Sequence, residues 1–184
     1  MRTLLSESQI QDGVSGLARQ VQADFAGRPL TIVGVLTGSM VLLADLIRRI
    51  ELPLKVGLVQ ARSYRGAVTE RSTLSVNPDL LPDVSDRDVL LVDDIFDTGH
   101  TLLEVISQLD AMHPRSIRSA VLLRKADRCE VAIQPDYAVF DIPNEFVVGY
   151  GLDYNDLFRN LPYVAALDAE DVQASEHHQI SPRT

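Results

Sequence analysis

Cysteine is nearly absent: Cys129 stands alone among 184 residues, which excludes an intramolecular disulfide and any all-cysteine metal cage. Basic residues are outnumbered, 17 against 26 acidic ones, and the formal charge of -9 repels nucleic-acid backbones and anionic membranes. No nucleic-acid partner is expected, although a local basic patch is compatible with that balance. Long apolar runs are missing as well. Charges and prolines interrupt every stretch short of the roughly 20 residues that a membrane span needs. There is no internal repeat and no low-complexity segment. No basic segment followed by an apolar one opens the chain, so a cytoplasmic protein is expected. The two best-known glycine-rich nucleotide loops, GxGxxG and GxxxxGK[ST], are also absent.

What is present is an ordinary globular composition, 46% hydrophobic and 23% charged, at a length suited to one domain with a sizeable core. Ser6 and Gln9 are spaced as a capping box, and Ile10, Val14, Leu17 and Val21 follow at helical spacing. "LTIVGVL" (30–36) reads as a buried strand. The turn "TGS" follows, then "MVLLADLIRRI", with Met40, Leu43, Ala44 and Ile47 as the helical stripe. Further strands are expected at 54–61, in "DVLLVDDI", in "SIRSAVLLRK" and in "YAVFDI", with a helix from "TLLEVISQLDAM" carrying Leu102, Ile106 and Leu109. Near-continuous apolar strands alternating with amphipathic helices predict an α/β fold with a parallel sheet covered on both faces. From Arg62 to Arg87 no element is legible. Structureless loops longer than about 12–15 residues are uncommon unless they act as lids or are disordered, so a mobile cover is expected there. Residues 168–184 read as a polar acidic tail in which His177 and His178 are neighbours; adjacent histidines can bind metal, but an exposed tail is the simpler expectation.

The chemistry concentrates in "VLLVDDIFDTGHT" (89–101), a strand that ends on Asp93, Asp94 and Asp97. Ligands of open α/β sheets bind outside the carboxyl ends of strands. Thr98, Gly99, His100 and Thr101 lead into a helix N-terminus, whose unpaired amides and positive dipole end suit a phosphate. Gly99 permits close backbone approach, and the two threonines add hydroxyl donors. Asp93 and Asp94 together could accept from a ribose diol and share a magnesium ion. Asp97 is then left over as a general base. Strand-end aspartates also serve as turn or N-cap residues, which this stretch alone leaves open.

Two acidic residues, two apolar ones and then Asp-Thr-Gly-x-Thr resemble the signature of the type I phosphoribosyltransferases. "LTGS", "RSY", "LLRKADR" and "EFVVGYGLDYNDLFRNLPYV" follow the order and spacing of the hypoxanthine-guanine phosphoribosyltransferases over most of residues 30 to 167. The resemblance implies one phosphoribosyltransferase domain over 1–167, with a flexible loop at 62–87. Its central, mainly parallel sheet would be flanked by helices, with a small hood formed by terminal segments. It implies transfer of the 5-phosphoribosyl group of phosphoribosyl pyrophosphate to N9 of hypoxanthine or guanine, releasing pyrophosphate, with Mg2+ as cofactor and a homodimer or homotetramer as assembly.

Carried over by residue, Asp93 and Asp94 would hold the ribose hydroxyls, and Asp97 would take the purine N7 proton. Thr98 to Thr101 would cradle the 5-phosphate. Leu36, Thr37 and Gly38 match the pyrophosphate loop, where the family commonly has a cis peptide between the first two, and Arg159 matches a pyrophosphate contact. Ser63 and Tyr64 match the start of the flexible loop, in which Arg62, Arg65 and Arg71 would sense the pyrophosphate. Asp93, Asp94 and Asp153 match metal anchors. Lys125 has donors and no acceptor, so at the purine edge it suits a 6-oxo group and disfavours the amino group of adenine. Phe146 matches the residue that stacks on the base, the Val147 carbonyl would receive an N–H, and backbone near Val147 and Asp153 would meet the purine 2-position.

Three positions depart from the family pattern. Thr37 stands where relatives often carry a cation, Asp93 is one methylene shorter than the frequent glutamate, and His100 replaces a lysine or small polar residue. Two other expectations fit the same signature: a xanthine-preferring enzyme, and a regulator that senses phosphoribosyl pyrophosphate without turnover. A regulator would not need Lys125, Phe146 and Asp153 together.

Overall fold

The computed structural model describes residues 1–60, 80–168 and 171. Five parallel strands form the main sheet in the order β3-β2-β4-β5-β6: β2 Leu30–Leu36, β3 Leu54–Gln60, β4 Asp88–Phe96, β5 Ser116–Arg124 and β6 Tyr137–Asp141. Its strands are the apolar runs expected from sequence. Alternate side chains divide between two cores, because successive strand residues point to opposite faces. Ile32, Leu90, Val92 and Leu122 face one core; Val33, Val35, Leu91 and Val121 face the other.

Helices α1 (Glu7–Asp24) and α2 (Met40–Ile47) cover the first face, and α3 (His100–Asp110) covers the second. The Ser6–Gln9 capping box is formed, and Ile10, Val14, Leu17 and Val21 are all buried along α1. In α2 the expected stripe is corrected. Leu42, Leu43 and Leu46 are buried, whereas Met40 is half exposed. This helix has only eight residues and nearly all are apolar, so periodicity could not choose a face. In α3 the buried set is Leu102, Val105 and Leu109, with Ile106 at the margin.

A small antiparallel sheet packs Leu5, Val147 and Val164 into the first core. It consists of β1 (Arg2–Leu5), β7 (Val147–Val148) and β8 (Val164–Ala166), in the order β1-β8-β7. This is the hood of terminal segments, and its strands are too short to register as sequence patterns. Residues 61–79 lie outside the described ones, so the expected loop can be followed only over 80–87. Most of the tail lies outside them as well. No described helix is long and apolar enough to cross a membrane.

Candidate active site

The strand order places the divergence of connections between β2 and β4, since β2 leads outward to β3 and β4 leads the other way to β5. In open α/β sheets the ligand crevice forms at such a point. Pairing of β2 with β4 ends at Gly34 opposite Val92, so β4 leaves its neighbour just as Asp93 begins. A pocket of about 250 Å³ opens there, lined in part by Leu36, Gly38, Asp93, Asp94, Thr98 and Thr101.

Asp93 and Asp94 meet under low solvation. The Asp94 amide donates to Asp93 Oδ1 at 2.9 Å, and the Ile95 amide donates to Asp94 Oδ1 at 2.8 Å. Burial pushes both carboxyls upward, and at Asp93 the charge of Asp94 adds to the rise. The Arg159 guanidinium opposes the rise at Asp94. Gly38 is pressed onto this pair: a Cβ there would lie 1.7 Å from Asp94 Oδ2. The Leu36–Thr37 peptide just before it is cis.

After Asp94 the chain turns through Asp97 and Thr98 into α3. Gly99 caps the helix with φ 90°, a conformation that L side chains rarely adopt. The close approach inferred for Gly99 is to protein: a Cβ would come within 2.4 Å of Val131 and 2.9 Å of Phe96. The amides of His100 and Thr101 belong to the first turn of α3, where intrahelical acceptors are lacking by geometry. The His100 ring itself turns outward to Glu130, at 3.1 Å.

Asp97 has two cationic neighbours. Lys125 Nζ lies 3.3 Å from its Oδ2, and Arg128 Nε donates to its Oδ1 at 2.8 Å. Lys125 is buried at the end of β5, where its amide donates to the Phe96 carbonyl. The 3-10 turn Ala126–Arg128 then brings Arg128 back to the same carboxylate.

The hood approaches the site through Gly151, on which a Cβ would come within 2.2 Å of the Gly38 carbonyl oxygen, and through the charge of Arg159 at Asp94. Phe146 is half exposed and meets Tyr154 edge to face, with ring centroids 5.6 Å apart. Val147 is buried in β7. Arg159 donates to the Gly151 carbonyl at 2.8 Å and pairs with Asp153 at 2.7 Å. The structure therefore joins Lys125 to Asp97, Gly38 to Asp94 and Arg159 to Asp153.

A family model described as the phosphoribosyl transferase domain matches residues 2–155. The chain belongs to this family. Similar phosphoribosyltransferases include a hypoxanthine-guanine phosphoribosyltransferase of Staphylococcus epidermidis, 40% identical over 167 residues that span 91% of this chain and 93% of that protein. One from Streptococcus pneumoniae is 37% identical over 92% of this chain and 94% of its own. Among solved structures, a hypoxanthine phosphoribosyltransferase from Staphylococcus aureus superposes with a TM-score of 0.86 at 38% identity, covering 92% of each chain.

Within this phosphoribosyltransferase, Arg128 reaches the candidate site through its bond to Asp97, although sequence reasoning left it without a role. Its signal was present, three residues beyond Lys125 in "LLRKADR". Tyr150 and Asp45, which bond to each other across the fold, carried no comparable signal. Ser63 and Tyr64, with Arg62, Arg65 and Arg71, lie outside the described residues.

Proposed function

We propose that the protein is a purine-salvage hypoxanthine-guanine phosphoribosyltransferase. It forms the bond from C1 of the ribose to N9 of a 6-oxopurine and breaks the bond from that carbon to pyrophosphate. The Lys125–Asp97 pair carries this reading. A donor-only cation lies 3.3 Å from an acceptor-only carboxylate. Neighbouring positions on a 6-oxopurine edge offer the reverse, an acceptor at O6 and a donor at N7–H. Adenine would place its amino group against the lysine. Asp97 takes the N7 proton as positive charge develops on the sugar, held in place by Arg128.

The remaining roles rest on the family resemblance. Asp93 and Asp94 accept from the ribose hydroxyls. Thr98 to Thr101 donate to the 5-phosphate at the start of α3. Leu36 to Gly38 and Arg159 meet the pyrophosphate, while Phe146 stacks on the purine and the Val147 carbonyl accepts from its edge. On the family resemblance alone, Ser63 and Tyr64 would help to exclude water from an easily hydrolysed centre.

Two touching carboxylates that burial raises together fit a hard cation, and Mg2+ typically takes one or two carboxylates and completes its shell with substrate oxygens. Among the described residues no cluster of three metal-ligating side chains occurs. Asp93 and Asp94 would hold the ion together with substrate oxygens, and Asp153 would anchor a second one. When bound, the ion supplies charge neutralisation at the leaving pyrophosphate. A cytoplasmic homodimer or homotetramer completes the reading, on the family resemblance.

The test is a steady-state assay with phosphoribosyl pyrophosphate and magnesium, offering hypoxanthine, guanine, xanthine and adenine separately. Turnover of hypoxanthine or guanine without adenine is expected. Preference for xanthine would reassign the substrate, and binding of phosphoribosyl pyrophosphate without any turnover would make the chain a sensor.

A further inference from the structure

Gly149, Tyr150 and Gly151 form a run of three residues with positive φ, 96°, 50° and 102°. The middle one is unusual, because a bulky side chain rarely adopts that backbone. Such a conformation persists only where surrounding contacts over-determine it. Here they do. The Tyr150 amide donates to the Leu161 carbonyl at 2.8 Å, and the Gly151 amide donates to the Arg159 carbonyl at 3.0 Å.

The Tyr150 ring is 3% exposed, and its hydroxyl donates to Asp45 Oδ2 at 2.6 Å. Asp45 in turn accepts from Gln11 of α1 at 3.2 Å and from Arg48, just past the end of its own helix, at 2.5 Å. A phenylalanine would fill the same volume. Sending a hydroxyl to a carboxylate in a desolvated place is worthwhile only if the bond is made, because an unmet buried donor is costly. Burial, reinforced by the neighbouring carboxylate, pushes the phenol upward, so it stays the donor across the working range.

This bond connects two parts of the site that are distant in sequence. Asp45 lies in α2, the helix that begins two residues after Gly38. Gly151 lies against Gly38 itself: a Cβ on Gly151 would come within 2.2 Å of the Gly38 carbonyl oxygen. The hood segment therefore touches the loop-and-helix unit at two points, through Tyr150 on the helix and through Gly151 on the loop. Arg159 hangs from the same segment by its bond to the Gly151 carbonyl, and it holds Asp153.

We propose that Tyr150, acting through Asp45, is a positioning residue that registers Arg159 and Asp153 against the Leu36–Gly38 loop and so sets affinity for the pyrophosphate end of the substrate. The proposal rests on the phosphoribosyltransferase reading above. It goes beyond that reading by assigning a specific hydrogen bond, remote from the purine, to one of the two substrates.

Calorimetry of the full chain with pyrophosphate and with phosphoribosyl pyrophosphate, each with magnesium, is the first test, followed by steady-state kinetics. Tyr150→Phe should weaken both ligands by about tenfold, the scale of one hydrogen bond, while the KM for hypoxanthine changes less than about twofold. Asp45→Asn keeps an acceptor for the hydroxyl and should bind both ligands more tightly than Asp45→Leu. Asp45→Leu should match Tyr150→Phe, and combining the two should cost no more than either alone. Unchanged pyrophosphate affinity in Tyr150→Phe, or a uniform loss toward both substrates, overturns the proposal, as does an Asp45→Asn variant as weak as Asp45→Leu. If wild type binds neither pyrophosphate nor phosphoribosyl pyrophosphate, the functional reading falls and this proposal falls with it. If wild type binds them and the variants match it, this proposal alone falls.

Discussion

Asp93 and Asp94 occupy a strand end where burial opposes their ionisation, and the fold tolerates them against its own stability. A carboxyl whose folded-state pKa is raised favours the native state only while it is protonated. That contribution is complete below the unfolded value near 3.8 and is lost as pH rises through the raised one. At neutral pH the pair is therefore a net cost. Asp93→Asn keeps an acceptor for the Asp94 amide and removes one charge, so it should raise Tm at pH 7 by about 2–4 °C while weakening phosphoribosyl pyrophosphate binding. Calorimetric scans at pH 7 and pH 4 check this, and the difference between variant and wild type should shrink at the lower pH. Asp97 is the contrasting case, a partly exposed carboxylate flanked by Lys125 and Arg128. Asp97→Asn should keep phosphoribosyl pyrophosphate binding and lose about 10²–10⁴-fold in kcat, the usual contribution of a positioned proton acceptor. Near-normal turnover by stopped assay would remove it from that role.

At the scale of elements, the site depends on where β2 and β4 part company and on what fills the gap. The turn from β2 into α2 passes so close to β4 that Gly38 has no room for a methyl group beside Asp94. Gly38→Ala should displace either the loop or the Asp94 carboxylate, and a misplacement of about 1 Å can cost 10²-fold in rate. The expected result is a loss of about that size in kcat/KM for phosphoribosyl pyrophosphate, measured at saturating hypoxanthine. Sequence showed this element as a strand, a turn and a helix in the right order. It did not show which face of α2 is buried, because Val41, Leu42, Leu43 and Ile47 are equally apolar, and only contact with α1 and the sheet decides among them. Long α1, by contrast, was legible down to its cap, since eighteen residues allow a polar face to contrast with an apolar one.

At the scale of the whole molecule, a buried ion-pair cluster and the candidate site lie at opposite ends of β4. At the amino end of β4 the Asp88 side chain is completely buried, paired with Arg28, 3.5 Å from Arg115 and bonded to the Ser116 hydroxyl at 2.6 Å. Burial raises its carboxyl, but the Arg28 and Ser116 bonds outweigh it and hold the carboxyl below the usual range. The sign is opposite to that of Asp93: this contribution is present above the unfolded value near 3.8 and is lost as pH falls through the lowered one. Asp88→Asn should cost roughly 2 kcal/mol at pH 7 by urea denaturation. That is less than the 3–5 kcal/mol of a fully enclosed pair, because Arg28 is 33% exposed and partly screened. The deficit should narrow below about pH 4, and the kinetic constants should stay unchanged, since the site lies at the other end of β4.

By itself the sequence determined the α/β class, the five central strands, the Ser6 cap and the Asp93–Thr101 motif, because each is written in neighbouring residues whose spacing follows a helical turn, a strand pleat or a turn. Resemblance extended that legibility to Lys125, Phe146, Asp153 and Arg159 as candidates. Only the tertiary structure decided what meets what. It brought Arg128 to Asp97, closed Gly38 on Asp94 and tied Tyr150 to Asp45 across 105 residues of chain. The three hood strands, each two to four residues long, likewise have meaning only when paired with one another. Contacts of this kind leave no periodic trace. They arise when hydrophobic burial brings distant segments together, and the hydrogen bonds of the site form only after that packing has fixed where each segment lies.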